Sequence, residues 1–305
     1  MASWQNSSGK ENHKSLYENT LKTLSKNFLY TNLKKLGIKK SDTIYLGLDL
    51  KNFYIPFLKI LNKDPNLFDK NILNKIFYKN LKEYFLPNGT IILQAFTWSF
   101  IKKKKFHPRL NSPDIGLFEK YVFNKPGVAR SSHPTNSIIV FGKKKNLVSK
   151  NHGLYSFGAN SPFERFKDLN VKFVNIGVPL EDSCTYLHHL EHINGTNHRF
   201  NKLINGKVFD NDRYLRKNFY ILVKYKNIST AIDRDEKKIF DHLRKNKKLK
   251  SLKVNQVLFS VINCKDVYNI GLSFLKNDST YFMKKKVFVK FSEKIKKIKK
   301  NYYIF

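Results

Sequence analysis

Two cysteines, Cys184 and Cys264, are all that 305 residues contain. So few exclude a disulfide framework and a Cys-rich metal centre, and they suit a reduced, cytoplasmic setting. No run of about 20 apolar residues occurs, so no membrane-spanning helix is expected. The N-terminus, Met1-Ala-Ser-Trp-Gln-Asn-Ser-Ser-Gly-Lys10, lacks the apolar core of a signal peptide. Acidic residues are scarce: 23 Asp and Glu face 58 Lys and Arg, a formal charge of +35. That excess points first to nucleic acid or an anionic membrane. It is nearly all lysine, however, spread along the chain beside many Asn, Ile, Phe and Tyr. AT-rich coding sequence produces this composition with no function attached. Charge alone therefore decides little, and a basic nucleic-acid-binding protein remains the alternative from another class.

Apolar residues are plentiful, at 41% with many Phe and Tyr, enough for a sizeable core. Residues 1–14 offer no periodic apolar face and are expected to form a disordered lead-in. From Ser15 the positions Leu16, Leu21, Leu24, Phe28, Leu33 and Leu36 repeat at helical spacing, and Gly37 supplies a stop. Buried strands are expected at Thr43–Leu48, Thr90–Leu93, Ser137–Gly142 and Val171–Gly177, with a helical region near 55–85 ending at the turn Pro87-Asn-Gly89. Beyond about 205 come a strand at Asn218–Tyr225 and a helix near Asp233–Leu243. Alternating strands and helices predict an α/β fold: a central mixed β-sheet flanked by helices, with a smaller sheet in the second half. One domain would span 15–282, and 283–305 would form a Lys-rich tail packed on it or extending from it. No internal repeat occurs.

The run Thr185-Tyr-Leu-His188-His189-Leu190-Glu191-His192 can carry chemistry. On a helix, His188, Glu191 and His192 share one face. A carboxylate beside an imidazole fixes its tautomer and stabilises the imidazolium, which makes a general base. The same residues also spell His-x-x-Glu-His, the spacing of inverted zinc peptidases, so a zinc hydrolase is a further reading. Polar surface histidines are the plain one.

Four stretches upstream separate these readings. They are Pro87-Asn-Gly-Thr90-Ile-Ile-Leu-Gln-Ala-Phe-Thr97-Trp98, Ser112-Pro-Asp-Ile-Gly116, Pro126-Gly-Val-Ala-Arg130-Ser131-Ser-His133-Pro-Thr135-Asn-Ser137 and Ser161-Pro-Phe-Glu-Arg165. Together with the His188 run, and in this order, they resemble the aminoglycoside 3-N-acetyltransferase family from about residue 33 to 282. The resemblance implies direct acyl transfer from acetyl-CoA to an amine, without a covalent enzyme intermediate or a metal. It makes His188 the base and Glu191 its support. It places Arg130, Ser131, His133, Thr135 and Ser161 near the acyl-CoA, and Thr97, Asp49 and Thr185 near a small-molecule amine acceptor. Nucleic acid is then not the expected partner, and a homodimer is allowed.

Two departures qualify the resemblance. Family members commonly carry a Val-His-Ser-Ser-type run after the first strand, where this chain has Leu46-Gly-Leu48-Asp49. The loop Lys102–Lys105 and the strand end Val223-Lys224-Tyr-Lys226 are basic where acceptor-binding acids would be expected. A lysine rim would repel a polycationic antibiotic and favour an amine that also carries a phosphate or carboxylate, such as a nucleotide-linked amino sugar.

Overall fold

The structure is a computed structural model that describes residues 5–63, 69–210, 212–224 and 234–284, with side chains described from residue 17 onward. Helix α1 covers Gln5–Lys35. It begins ahead of the apolar periodicity, so the lead-in expected to be unstructured is helical from Gln5. No proline interrupts this stretch, and extending an established helix adds one hydrogen bond per residue fixed. Strand β1 (Thr43–Leu48), helices α2 (Leu50–Ile60) and α3 (Lys70–Phe85) and strand β2 (Thr90–Gln94) follow. The single helical region expected near 55–85 is thus two helices. Each starts on an aspartate, Asp49 or Asp69, whose carboxylate accepts a backbone N–H of its first turn.

The middle of the chain holds α4 (Phe100–Lys103), β3 (Lys105–Phe106), α5 (Leu117–Val122), β4 (Ala129–Arg130), β5 (Ile138–Gly142), α6 (Lys145–Ser149), α7 (Pro162–Arg165) and β6 (Lys172–Ile176). After a 3-10 turn at Leu180–Asp182 come α8 (Tyr186–Ile193), β7 (Arg199–Asp210), β8 (Arg213–Lys224), α9 (Lys237–Lys245), β9 (Lys250–Val254), β10 (Val257–Asn263) and α10 (Cys264–Asn277). The Lys-rich tail beyond 284 lies outside the described residues.

Seven strands form one sheet in the order β4-β5-β2-β1-β6-β10-β9, and β3-β7-β8 form a second. In the large sheet β1 runs parallel to β2 and β6, and the outer pairings are antiparallel, so the sheet is mixed as expected. Alternation along β1 explains the two-sided burial. Ile44 and Leu46 pack into a core built with α1, α2, α3 and α5, while Tyr45 faces a second core containing Phe163, Phe166, Tyr186 and Leu190. The small sheet is a hairpin of two 12-residue strands, β7 and β8, to which the short β3 adds a third.

This topology positions a site. Strand β1 has β2 on one side and β6 on the other, so the chain reverses direction across the sheet at β1. In open α/β sheets the crevice beyond the carboxyl ends of the strands at such a point is where ligands bind. The segment leaving β6 over that end is Gly177–Thr185, and it delivers α8.

Candidate active site

Helix α8 turns one face to the second core through Tyr186, Leu187 and Leu190. The other face carries His188 and, one turn later, Glu191. His188 Nδ1 lies 2.8 Å from Glu191 Oε2. Glu191 is fully buried; its oxygens also meet His198 Nε2 at 3.0 Å and form ion pairs with Arg199 Nε at 2.8 Å and Arg234 Nη2 at 3.6 Å. Burial alone would raise this carboxyl. Arg234, Arg199 and the bonds from His188 and His198 hold it well below the usual carboxylate range. Glu191 is therefore an anion at neutral pH, and the Nδ1 proton of His188 belongs to it. That leaves Nε2 with the ring's lone pair.

The His188 side chain remains 29% exposed, and it lines a cavity of about 500 Å³. Burial first, then Arg234 and Arg199, push its imidazole down to about 3, against the opposing pull of Glu191. The ring is neutral and can accept a proton, though with little affinity for one. The cavity wall is acidic. Glu181, Asp182, Asp235 and Glu236 line it, against Arg234 and Lys237. Glu236 is pushed up to about 7 by burial, opposed by Arg234 and assisted by Glu191. Ser183, Cys184 and Thr185 complete the floor. Gly47 is required where β1 meets this floor, because a Cβ there would come within 2.6 Å of Ser183 Oγ and 2.9 Å of Asn175 Oδ1.

Of the residues singled out in the sequence, His188, Glu191 and Thr185 come together. Arg130, Ser131, His133, Thr135 and Thr97 gather elsewhere, along β4, β5 and the end of β2. Arg130 donates to Ala95 O (2.7 Å), Thr97 Oγ1 (2.6 Å), Ser137 Oγ (2.9 Å) and Asn111 O, and lies 5.0 Å from the Phe106 ring centre. Ser131 Oγ accepts from Ile138 N at 3.0 Å and meets His152 Nδ1 at 3.1 Å. His133 Nδ1 lies within reach of the Thr135 and Asn136 amides at 3.4 and 3.2 Å, and its ring packs 4.8 Å from that of His152. Burial pushes His133 down to about 3. These groups are buried or half-buried and bonded mainly within the protein, with His133 Nε2 left unpartnered, and none lines the His188 cavity. Ser161 Oγ donates to Gly158 O at 2.7 Å, and Asp49 caps α2. The loop Lys102–Lys105 does not line the cavity either.

The zinc reading needs His188 and His192 on one ion with Glu191 free. Instead Glu191 is held by two histidines and an arginine, and the His192 ring packs on Gly158 and Tyr155. His189 is buried and accepts the Gly158 amide at 3.1 Å, a scaffold contact. Among the described residues no three His, Cys, Asp or Glu side chains gather as metal ligands. Sequence reasoning missed Arg199, Arg234, Glu236 and the Glu181-Asp182 pair. The last carried a signal, two adjacent acids shortly before the histidine run. The arginines carried none, because only the fold brings them to Glu191.

Comparison with known proteins follows this geometry. A profile of the family described as aminoglycoside 3-N-acetyltransferase matches residues 72–276. Aminoglycoside N(3)-acetyltransferase III of Salmonella sp is 36% identical over 78 residues, covering 25% of this chain and 27% of that protein. The Pseudomonas aeruginosa protein of the same name is 33% identical over 75 residues, 24% of this chain and 27% of its own length. The matched stretch thus spans only about a quarter of these relatives. Solved structures agree over more of the fold. AAC-VIa bound to sisomicin superposes with a TM-score of 0.67 at 16% identity, covering 83% of this chain and 97% of that one. AAC-IIIb with CoASH gives 0.65 at 17%, covering 83% and 96%. With a matching profile over most of its length and the same fold, the chain belongs to the aminoglycoside 3-N-acetyltransferase family.

Proposed function

We propose that this chain transfers an acetyl group from acetyl-CoA to a primary amine of a sugar-like acceptor that carries several ammonium groups. The observation that carries this reading is a neutral histidine, oriented by a buried carboxylate, on a cavity lined by four acids and two bases. An acceptor of this kind is attracted by such a wall. Of the expected lysine rim, which favoured a nucleotide-linked amino sugar, Lys102–Lys105 lie off the cavity, Lys224 sits beside Arg199 and Arg234, and Lys226 lies outside the described residues. Sisomicin and CoASH, each bound by one of the two structural neighbours, suit the same assignment.

The chemistry follows from the ring. As the amine nitrogen bonds to the thioester carbon, its proton passes to His188 Nε2, and Glu191 stabilises the imidazolium through Nδ1–H. Collapse of the tetrahedral adduct breaks the C–S bond, and the CoA thiolate leaves and takes up a proton. A positioned base of this kind contributes roughly 10²–10⁴-fold. Cys184 and Cys264 are buried free thiols, which supports a reducing, cytoplasmic setting, and no described helix is long and apolar enough to cross a membrane.

The test is thiol release from acetyl-CoA across polyamino sugars, simple monoamines and nucleotide-linked amino sugars, with wild type and His188→Ala. Release with the polyamino sugars, lost in the variant, is the expected result. Turnover unchanged by His188→Ala would remove the base assignment. Release with the nucleotide-linked amines alone would reverse the acceptor class.

A further inference from the structure

Arg234 precedes α9, and its backbone is fixed by a β-bridge to Met283 and by the adjoining bond from Asp235 N to Phe282 O at 2.8 Å. Its guanidinium reaches back over α8. Nη1 lies 2.9 Å from His188 Nδ1 and 3.3 Å from Nε2. A nitrogen this near both ring nitrogens cannot sit in the ring plane, where Cε1 would block it. It therefore lies over the imidazole face, a stack rather than a hydrogen bond, and stacking on flat rings is what a guanidinium does well. Meanwhile Nη2 faces Glu191 Oε1 at 3.6 Å, and Nε is paired with Glu236. Arg234 thus touches the base, the base's carboxylate and a cavity carboxylate at once.

We propose that Arg234 is a positioning residue for the base: stacked on His188 and sharing Glu191 with it, the guanidinium fixes the ring's plane and tautomer and keeps the imidazole uncharged. A lone His–Glu pair would favour the imidazolium, because the carboxylate attracts the ring's proton. An imidazolium has no lone pair and cannot take a proton from an amine. Arg234 offsets that attraction, at the cost of a lower proton affinity in the ring.

Other charges face His188, and their placement decides how much falls to Arg234. Glu191 on its own helix is the one contacting anion. Arg199, at the start of β7, bonds Glu191 at 2.8 Å, and Lys224, ending β8, feels Arg199 and Arg234. His198 is turned to Glu191. Glu181, Asp182, Asp235, Glu236 and Lys237 also line the cavity, and the Phe157 ring packs edge-on against His188 at 5.8 Å. Among the described charged groups Arg234 alone lies over the ring face, so removing it changes the ring's electrostatic surroundings most.

The inference rests on His188 being the base in the proposed transfer, but its first readout needs no substrate. The His188 Cε1–H resonance, assigned by its loss in His188→Gln, is followed by NMR against pH in wild type, Arg234→Gln and Arg234→Lys. Wild type should show no titration of this signal between pH 8 and 5. In Arg234→Gln the midpoint should move up toward the ordinary histidine value near 6.5. In Arg234→Lys, which keeps the cation, it should stay depressed. The second readout is kcat/KM at pH 5.5 relative to pH 8. Burial and Arg199 still oppose the charge in Arg234→Gln, and a midpoint as high as 6.5 leaves about one ring in ten neutral at pH 5.5, so the variant should lose up to about tenfold more than wild type over that interval. A uniform loss at both pH values, with an unmoved His188 signal, would overturn the proposal and leave Arg234 a structural residue. A moved signal in a protein that releases no thiol with any amine would keep the Arg234 assignment and sink the transferase reading.

Discussion

Two buried polar clusters divide the motifs of this chain between them. One is centred on Glu191, the other on Arg130. Both hold a fully or largely buried charge, several histidines and hydroxyls, and both came from runs that resemble a family of enzymes. They differ in where their hydrogen bonds end. Arg130 gives its donors to Ala95, Thr97, Asn111 and Ser137, and Ser131 and His133 meet neighbouring amides. Around Glu191 the charges are balanced against each other, but His188 keeps one nitrogen uncommitted and part of its ring on a cavity. His133 Nε2 is unpartnered too, but it is sealed in the interior, whereas an open lone pair that reaches a cavity can also move a proton.

The sharpest way to break that comparison is to remove one residue from each side. His188→Ala should lower the rate of thiol release by roughly 10²–10⁴-fold, with a modest change in stability because Glu191 retains Arg199 and His198. Arg130→Ala should do the reverse. It strands the Asn111 carbonyl and takes one donor each from Ala95 O, which keeps Ser137 Oγ, and from Thr97 Oγ1, and should cost about 3 kcal/mol in urea unfolding. Activity per folded molecule should stay within a few-fold of wild type. Comparable loss of turnover from folded Arg130→Ala would mean that this cluster also belongs to the reaction.

Acid separates the clusters more gently. His133 takes no proton in the fold until about pH 3, while in the unfolded chain it titrates near 6.5. The unfolded state therefore binds more protons between those values, so stability is full above pH 6.5 and is lost as pH falls toward 3. Between pH 7 and 5 this one residue should account for about 2 kcal/mol of the decline. His133→Gln should flatten the curve by that amount. An unchanged slope would show that His133 is already protonated in the fold or reached by water.

How much of this was legible in the sequence depended on the distance over which each feature is encoded. The strands from Thr43, Thr90, Ile138 and Lys172 were readable because each is a short apolar run bounded by turn residues, and the hairpin strand through Phe219 likewise. His188 and Glu191 were readable because three positions along a helix suffice to join them. The start of α1 was not, since propagation from a stable helix leaves no local mark. Nor were Arg199 and Arg234, which reach Glu191 only after the hairpin and α9 have packed. The lysines of 102–105 misled for the same reason: a loop's charge is visible in the chain, but the surface it faces is not.

The smallest predicted effect bears on the acceptor. Glu181 and Asp182 sit on the 3-10 turn that delivers α8, at the open side of the cavity. They are far enough into solvent that each should contribute only about 0.2–1 kcal/mol to binding an ammonium group. Glu181→Gln with Asp182→Asn should therefore raise KM for a polyamino sugar by roughly two- to thirtyfold, with kcat unchanged. The same pair of substitutions should leave KM for a monoamine nearly as it was. Added salt should shrink the wild-type advantage, because exposed charges more than about 10 Å apart are screened at 0.1 M ionic strength. If KM for the polyamino sugar does not move, the acidic wall does not read the acceptor's extra charges. The preference for a polycation would then have to come from Asp235 and Glu236 on the opposite side, where Arg234 already claims one carboxylate.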